Sequence, residues 1–309
     1  MKAIKFEKNK SELWDQFIAK SKNGLFLFNR QYIDYHQDRF KDHSLMIYKN
    51  EKLIALFPAN EKDEVIHSHE GLTFGGLIMP FNLSAQHALL IFTAIIDYYK
   101  NLGFREIRYK AISFIFHKYP AQEDLYALFR LDAILYRRDI SSVISLSDPI
   151  HFSESKRQAV RKCAKAGMVV IENNNFEDYW QLLESVLSKF ETSPVHSLDE
   201  IHSLKQNFPE KIRLFEARQS NVLLAGVVVY DYGNCVHTQY MANSAEGRKT
   251  GALDFINAKL ISDFSDRKYF SFGISTEQEG RYLNEGLIQQ KEMMGGRAVV
   301  NDFYKIKIK

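Results

Sequence analysis

Two cysteines, Cys163 and Cys235, are the only thiols in the 309 residues. A pair without a CxxC motif builds neither a disulfide framework nor a thiolate zinc site, and it points to a reducing compartment. Six prolines and fifteen glycines leave little material for long flexible linkers. The longest apolar run, Ala88 to Ile96, stops at Asp97 and is too short to cross a bilayer. The opening MKAIKFEKNKSELWDQF lacks the apolar centre of a secretory signal. These absences together lead us to expect a soluble, cytoplasmic protein with no membrane span. Charge of one sign is also scarce. A net charge of +3 gives no general affinity for nucleic acid, and no DNA partner is expected. Three motifs are missing as well: the GxSxG elbow, the Walker loop and the Rossmann GxGxxG. Hydrolase, P-loop NTPase and dinucleotide oxidoreductase readings therefore lack support.

What is abundant is core. Hydrophobic residues make up 45% of the chain, including 23 Phe and 16 Tyr, enough for two domains. Strand-like and helix-like segments alternate throughout. Ser44–Tyr48 and Leu53–Pro58 read as a hairpin, Ser84–Asn101 as a helix capped by Ser84, and Arg105–Tyr109 as the strand after it. The second half repeats this order. Strands over 212–218, 222–230 and 234–241 precede a helix from Gly251 to Phe264, a strand at 268–272, a helix over 281–293 and a last strand over 298–308. The terminal KIKIK suggests an edge strand guarded by lysines. The turns Ser68–Gly76 (SHEGLTFGG) and Ser244–Ala252 (SAEGRKTGA) align without a gap. The expected fold class is α/β, with mixed sheets of α+β type, built as a tandem duplication. A boundary at Asp148-Pro149 separates residues 1–148 from 149–309. The second domain then carries a basic helix over 153–167, and Ser197-Leu198-Asp199-Glu200 reads as a capping box.

Three stretches can carry chemistry. In the first, Arg248, Lys249, Gly251 and Ala252 lie between a strand and a helix. Backbone N–H groups and the positive end of a helix dipole would there meet a phosphate. In the second, Arg157 and Arg161 share a helix face with Lys165 and form a candidate anion clamp. In the third, Phe270–Gly296, a strand delivers Gly273, Ser275 and Glu277 to the end of a sheet, near Asn284, Glu285 and Lys291. Glu277 is a candidate general base, and Lys291 a candidate anion or carbonyl contact. His196 and His237 are further acid–base candidates. His237 is expected to share a strand face with Gln239. His67 and His69 have no accompanying Cys or His run, so no metal is expected.

The paired halves, the SKRQAVRKCAKAG helix, VHTQYMANSAEGRKTGALDF and FGISTEQEGRYLNEGLIQQKEMMGG followed by DFYKI resemble the FemAB-like branch of the GNAT superfamily of N-acyltransferases. The resemblance spans nearly the whole chain and is most specific from His196 to Tyr304. It implies two GNAT-like domains around a cleft and transfer of an acyl or aminoacyl group to an amine. Such proteins divide between users of acyl-coenzyme A and users of aminoacyl-tRNA that build peptidoglycan bridges. The pattern Arg-x-x-Gly-x-Gly/Ala holds pyrophosphate in the coenzyme A users. Here Arg248 and Gly251 match, but Leu253 stands at the last position. The short helices near 153–206 do not form the long arm of some tRNA users. The expected function is thus acyl transfer from acyl-coenzyme A to a small-molecule or cell-envelope amine, with phosphates near Arg248 and Gly251. Arg157, Arg161, Gln239, Asn284 and Lys291 are expected to bind substrate. The alternatives are aminoacyl-tRNA-dependent transfer and a non-catalytic binding module.

Overall fold

A computed structural model describes every residue from Met1 to Lys309. The chain divides into two compact units. One comprises Met1–Asp139, Gln278–Arg281 and Val300–Lys309, and the other Ile140–Glu277 with Tyr282–Val299. The division falls inside the strand Ile134–Ser145, not at Asp148-Pro149. A continuous strand carries no turn residue to mark such a point, and that is why composition does not reveal it.

In the first unit, Leu45–Lys49 and Lys52–Phe57 form the expected hairpin, closed by Asn50 and Glu51 alone. Both have positive φ, 47° and 64°, which matches the twist of the paired strands. Lys2–Lys5 pairs with Leu45–Lys49 to complete a three-stranded sheet. The larger sheet contains Val65–His67 and Glu106–Lys110, which run parallel and are joined through the helix Ala85–Asn101. The Ser84 hydroxyl caps that helix by accepting from the His87 N–H. Ala88, Ile91, Phe92, Ile95 and Tyr99 recur at helical spacing and are buried against Leu45, Ile47, Phe57, Ile107 and Tyr109. At about 1.5–3 kcal/mol for each large side chain, this stripe contributes on the order of 10 kcal/mol before chain entropy is counted. Gly103, with φ +85°, takes the left-handed step that stops the helix.

The last strand departs from expectation. Phe303–Lys307 pairs antiparallel with Glu106–Lys110, and on its other side the strand neighbours Ile134–Ser145. It is interior, so its lysines guard no edge. Ile306 is buried, and the lysines alternate away from it.

The second unit repeats the plan. Ile212–Gln219 and Val222–Asp231 form a hairpin around Ser220-Asn221, again with positive φ. Cys235–Asn243 follows antiparallel to the second of these strands. It then runs parallel to Tyr269–Ile274, with the helix Ala252–Asp263 between them in sequence. One sheet face packs Ala217, Val227, Val229, Val236, Phe270 and Phe272 against Ile256 and Leu260 of that helix and Cys163 of Glu154–Lys165. On the opposite face the helix Glu177–Leu187 buries Tyr179 and Trp180. Tyr179 lies flat on Gly226, where a Cβ would come within 2.3 Å of the ring. The Ser197 capping box is present, with Glu200 answering the Ser197 N–H.

The gapless match between the two turns does not survive as a match of shape. Ser68–Gly76 is an irregular loop, whereas Ala245–Thr250 is a short helix. What the units share is a hairpin followed by a parallel pair with a helix between. No helix of the chain is long and apolar enough to cross a membrane.

Candidate active site

The parallel pairing in the second unit is short. It covers Cys235↔Tyr269, Val236↔Phe270 and His237↔Ser271, and then stops. Two local features separate the strands beyond that point. Gly273 turns with φ +73°, and a bulge interrupts Cys235–Asn243 so that Val229 faces Thr238 while Val228 faces Tyr240. The ladder is left with a notch, a stretch without pairing, at the C-terminal end of the parallel pair, where open α/β sheets collect ligands.

His237 and Ser271 stand at its vertex. The His237 Nδ1 lies 3.1 Å from the Ser271 hydroxyl, which also accepts from the Gly273 N–H at 3.3 Å. The ring nitrogen and the hydroxyl share that one hydrogen bond, its direction set by the ring tautomer. Gly273 is required here twice over, by its positive φ and because a Cβ would sit 3.3 Å from His237 Cε1. Burial, reinforced by the charge of Lys291, lowers the His237 pKa to about 4. The ring is therefore neutral near pH 7 and able to take a proton.

Lys291 reaches the same place from the helix Glu285–Met293, which Asn284 caps. Its ammonium donates to the Gly273 carbonyl at 3.0 Å, the Ile274 carbonyl at 2.6 Å and the Ser275 hydroxyl at 2.9 Å. All three protons are used. Burial lowers its pKa to about 8, so it remains mostly charged at neutral pH. Lys291 holds the turned end of the strand and supplies a positive field beside His237.

The remaining residues of this stretch fall elsewhere. Glu277 is exposed on the two-residue strand Thr276–Glu277, where it accepts from the Asn284 side chain at 2.8 Å. That pair closes a small hairpin with Tyr282–Leu283. His196 is buried with Nδ1 2.6 Å from the Tyr240 hydroxyl, and the Tyr240 ring stands edge-on to Trp180. Burial pushes the Tyr240 pKa up to about 12. The bulge interrupts the expected alternation of His237 with Gln239, and the Gln239 side chain meets the Tyr240 hydroxyl. His237 faces Tyr230 and Tyr240 faces Val228, so His237 shares its face with Tyr240. Gln239 is the extra residue, and its Oε1 is buried without a hydrogen-bond partner.

The expected phosphate loop is built differently as well. Ser244 caps the helix Ala245–Thr250 by accepting from the Gly247 N–H, and its carbonyl accepts from the Arg248 N–H. The Gly251 N–H donates to Gly247. The Arg248 guanidinium donates to the Asn243 carbonyl at 3.0 Å, and Lys249 lies 3.7 Å from Glu246. Gly251 has φ +87°, and a Cβ there would meet Ala159 Cβ at 2.9 Å. The close approach it permits is to the helix Glu154–Lys165. Ala252 is buried, and Asp254 places a carboxylate in the first turn of Ala252–Asp263, paired with Lys156 at 2.7 Å. A negative group in that turn already complements the dipole. Arg157 and Arg161 both reach Glu154, at 2.7 and 2.6 Å, on an exposed face. Pairs this exposed are weak and screened by salt, so they yield readily to a stronger anion.

The corresponding place in the first unit is closed. Its parallel register ends at His67↔Arg108, which puts His67 where the second unit has His237. There Ser68 stitches the strands together. Its N–H donates to the Arg108 carbonyl, and its hydroxyl accepts from the Lys110 N–H at 2.7 Å. The Lys110 ammonium donates to the carbonyls of His69, Glu70 and Leu72 at 3.2, 2.9 and 2.7 Å. Gly75 presses so close to the Ser68 carbonyl that a Cβ would lie 1.8 Å from it. The loop fills its own notch. His69 is buried against the His36 ring at 5.1 Å.

Sequence reasoning missed Ser271 and Tyr240. Ser271 was detectable as the polar residue between Phe270 and Phe272, since alternation turns it away from the core. Tyr240 was hidden by the bulge.

No family model matches the chain, and no curated protein matches it. Solved structures do. FemX superposes with a TM-score of 0.70 at 9% identity, over 99% of this chain and 97% of that one. The L-PGS of Bacillus licheniformis gives 0.65 at 11% identity, over 96% and 92%. A tandem GNAT protein from the clavulanic acid biosynthesis pathway gives 0.57 at 8% identity, over 100% and 98%. The chain thus has the fold of duplicated GNAT-like domains. Within that class its fold is the FemAB-like form.

Proposed function

We propose that the chain is a transferase that moves an aminoacyl group from a tRNA ester to an amine, and that the notch at His237 is its reaction centre. The lone pair of the neutral amine attacks the ester carbonyl carbon, and as the N–C bond forms neutral His237 takes the N–H proton that this makes acidic. The C–O bond then breaks, and the ribose oxygen leaves with that proton returned to it. The ammonium of Lys291 favours the negative charge that develops on the carbonyl oxygen in between. Acceptors of the class implied by the resemblance are amines of cell-envelope precursors.

The observation that carries the choice of donor is the closed turn at 244–252. Its Gly247, Arg248 and Gly251 N–H groups, and the space beside Gly251, are taken up by the protein itself. Those groups are therefore not offered to the pyrophosphate of an acyl-coenzyme A donor, which supports a different donor. The exposed basic face of Glu154–Lys165 suits a polyanion. One observation favours the second reading: the tandem GNAT neighbour is described by its relation to AcCoA. The test offers labelled aminoacyl-tRNA and labelled acetyl-coenzyme A, in parallel, to a panel of envelope-precursor amines. Amide formation from the tRNA ester alone supports the proposal. Amide formation from acetyl-coenzyme A alone replaces it with the second reading. Tight ligand binding without transfer from either donor identifies a binding module.

A further inference from the structure

The first unit, whose notch is plugged, holds a separate concavity of about 510 Å³, within the range of small-molecule sites. One wall is the helix Ser11–Ala19, which presents Leu13 and Phe17 one turn apart. The floor is the outer half of the strand Lys52–Phe57, with Leu53 and Ile54, and Leu83 closes the far side. Beyond Leu56, which bridges to Ile78, this strand edge has no partner on that side. Leu13 keeps 41% of its surface in water, a cost that a bound apolar group would remove.

The rim is cationic. Lys20 sits at the C-terminal end of the helix, and Lys49 and Lys52 flank the two-residue hairpin turn. Lys49 is held in place by donating to His87 Nε2 at 2.8 Å. No lining residue is acidic, and none of the three lysines pairs with a carboxylate. An aliphatic floor under ammonium groups that no carboxylate neutralises is complementary to an apolar chain ending in an anionic head. Phe17 and His87 are the two rings in the lining, and His87 is already engaged by Lys49, so a nucleobase would find little to stack on.

We propose that this concavity binds an anionic phospholipid of a bilayer, with its phosphate among Lys20, Lys49 and Lys52 and an acyl chain along Leu13, Phe17, Leu53 and Ile54. The site places the protein at a membrane surface without a spanning segment, and it does not depend on which donor the second unit uses.

The test is sedimentation of the full chain with phosphatidylcholine vesicles and with mixed phosphatidylcholine–phosphatidylglycerol vesicles. Binding is expected only to the mixed vesicles. Replacing Lys20, Lys49 and Lys52 together by Gln is expected to weaken partitioning roughly a hundred-fold, from about 1 kcal/mol per lysine near an anionic surface. Leu13→Asp is expected to weaken it with the lysines intact. Replacing the exposed Lys189, Lys259 and Lys268 of the second unit by Gln is expected to leave it unchanged. The proposal is overturned if the mixed vesicles leave the protein in solution. It is also overturned if the two lysine triples weaken binding equally, since that reports diffuse charge, or if an acidic peptide binds where the vesicles do not.

Discussion

Replacing Gly251 by Ala separates two accounts of the turn at 244–252. The backbone at Gly251 is left-handed, with φ +87° and ψ 26°. A residue with a Cβ loses about 1–2 kcal/mol in that conformation. The new methyl would also stand 2.9 Å from Ala159 Cβ, where carbons normally rest about 3.5–4.0 Å apart. The helix Glu154–Lys165 must then move, and overpacking of this kind costs about 1–3 kcal/mol. The sum is a loss of about 2–5 kcal/mol, readable as a lower midpoint in urea unfolding with an unchanged slope. Adding Ala159→Gly removes the clash but not the strain. The double variant should recover the steric share, apart from about 1 kcal/mol of lost helix propensity. If Gly251 instead serves phosphate approach, Gly251→Ala weakens donor binding and leaves stability within about 0.5 kcal/mol of wild type. That result, or an absence of coupling to Ala159, would refute the packing account.

Three further expectations rest on the same geometry. Lys291→Met leaves two carbonyls and the Ser275 hydroxyl without their donor, and it should cost about 3–5 kcal/mol in urea unfolding. His237 titrates at about 4 in the fold against 6.5 unfolded, so the unfolded chain binds the extra proton between those values. Stability is therefore full above pH 6.5 and falls as pH drops toward 4. His237→Gln should reduce the loss between pH 7 and pH 4.5 by about 2 kcal/mol, measured by chemical unfolding at both pH values. Replacing Arg157 and Arg161 by Gln should flatten the dependence of log affinity for tRNA on log salt, by about one unit for each phosphate that the variant no longer neutralises, measured by filter binding.

The duplicated α/β plan was readable because its signals are local. The Ser84 cap, the helical stripe from Ala88 to Tyr99 and the two hairpins rest on neighbouring residues. Long-range geometry was not readable. Nothing near Ile306 says that the last strand inserts between two others and is not an edge. Nothing near Gly251 says that Ala159 will lie against it. The turn match SHEGLTFGG/SAEGRKTGA misled for a related reason, since four shared residues leave the backbone free to form a loop in one place and a helix in the other. In the candidate site, His237 and Lys291 were singled out by type and position. That the two lie together was not readable, because the bulge at Gln239 and the left-handed Gly273 decide which groups converge.

The claim that the second unit holds the chemistry, while its first-unit counterpart is plugged, is tested most directly by comparing His237→Gln with His67→Gln. The measurement is the single-turnover rate of amide formation from labelled aminoacyl-tRNA. The account predicts a fall of about 10²–10⁴-fold for His237→Gln and a rate near wild type for His67→Gln. An unchanged rate in His237→Gln, or a comparable fall in His67→Gln, would contradict it.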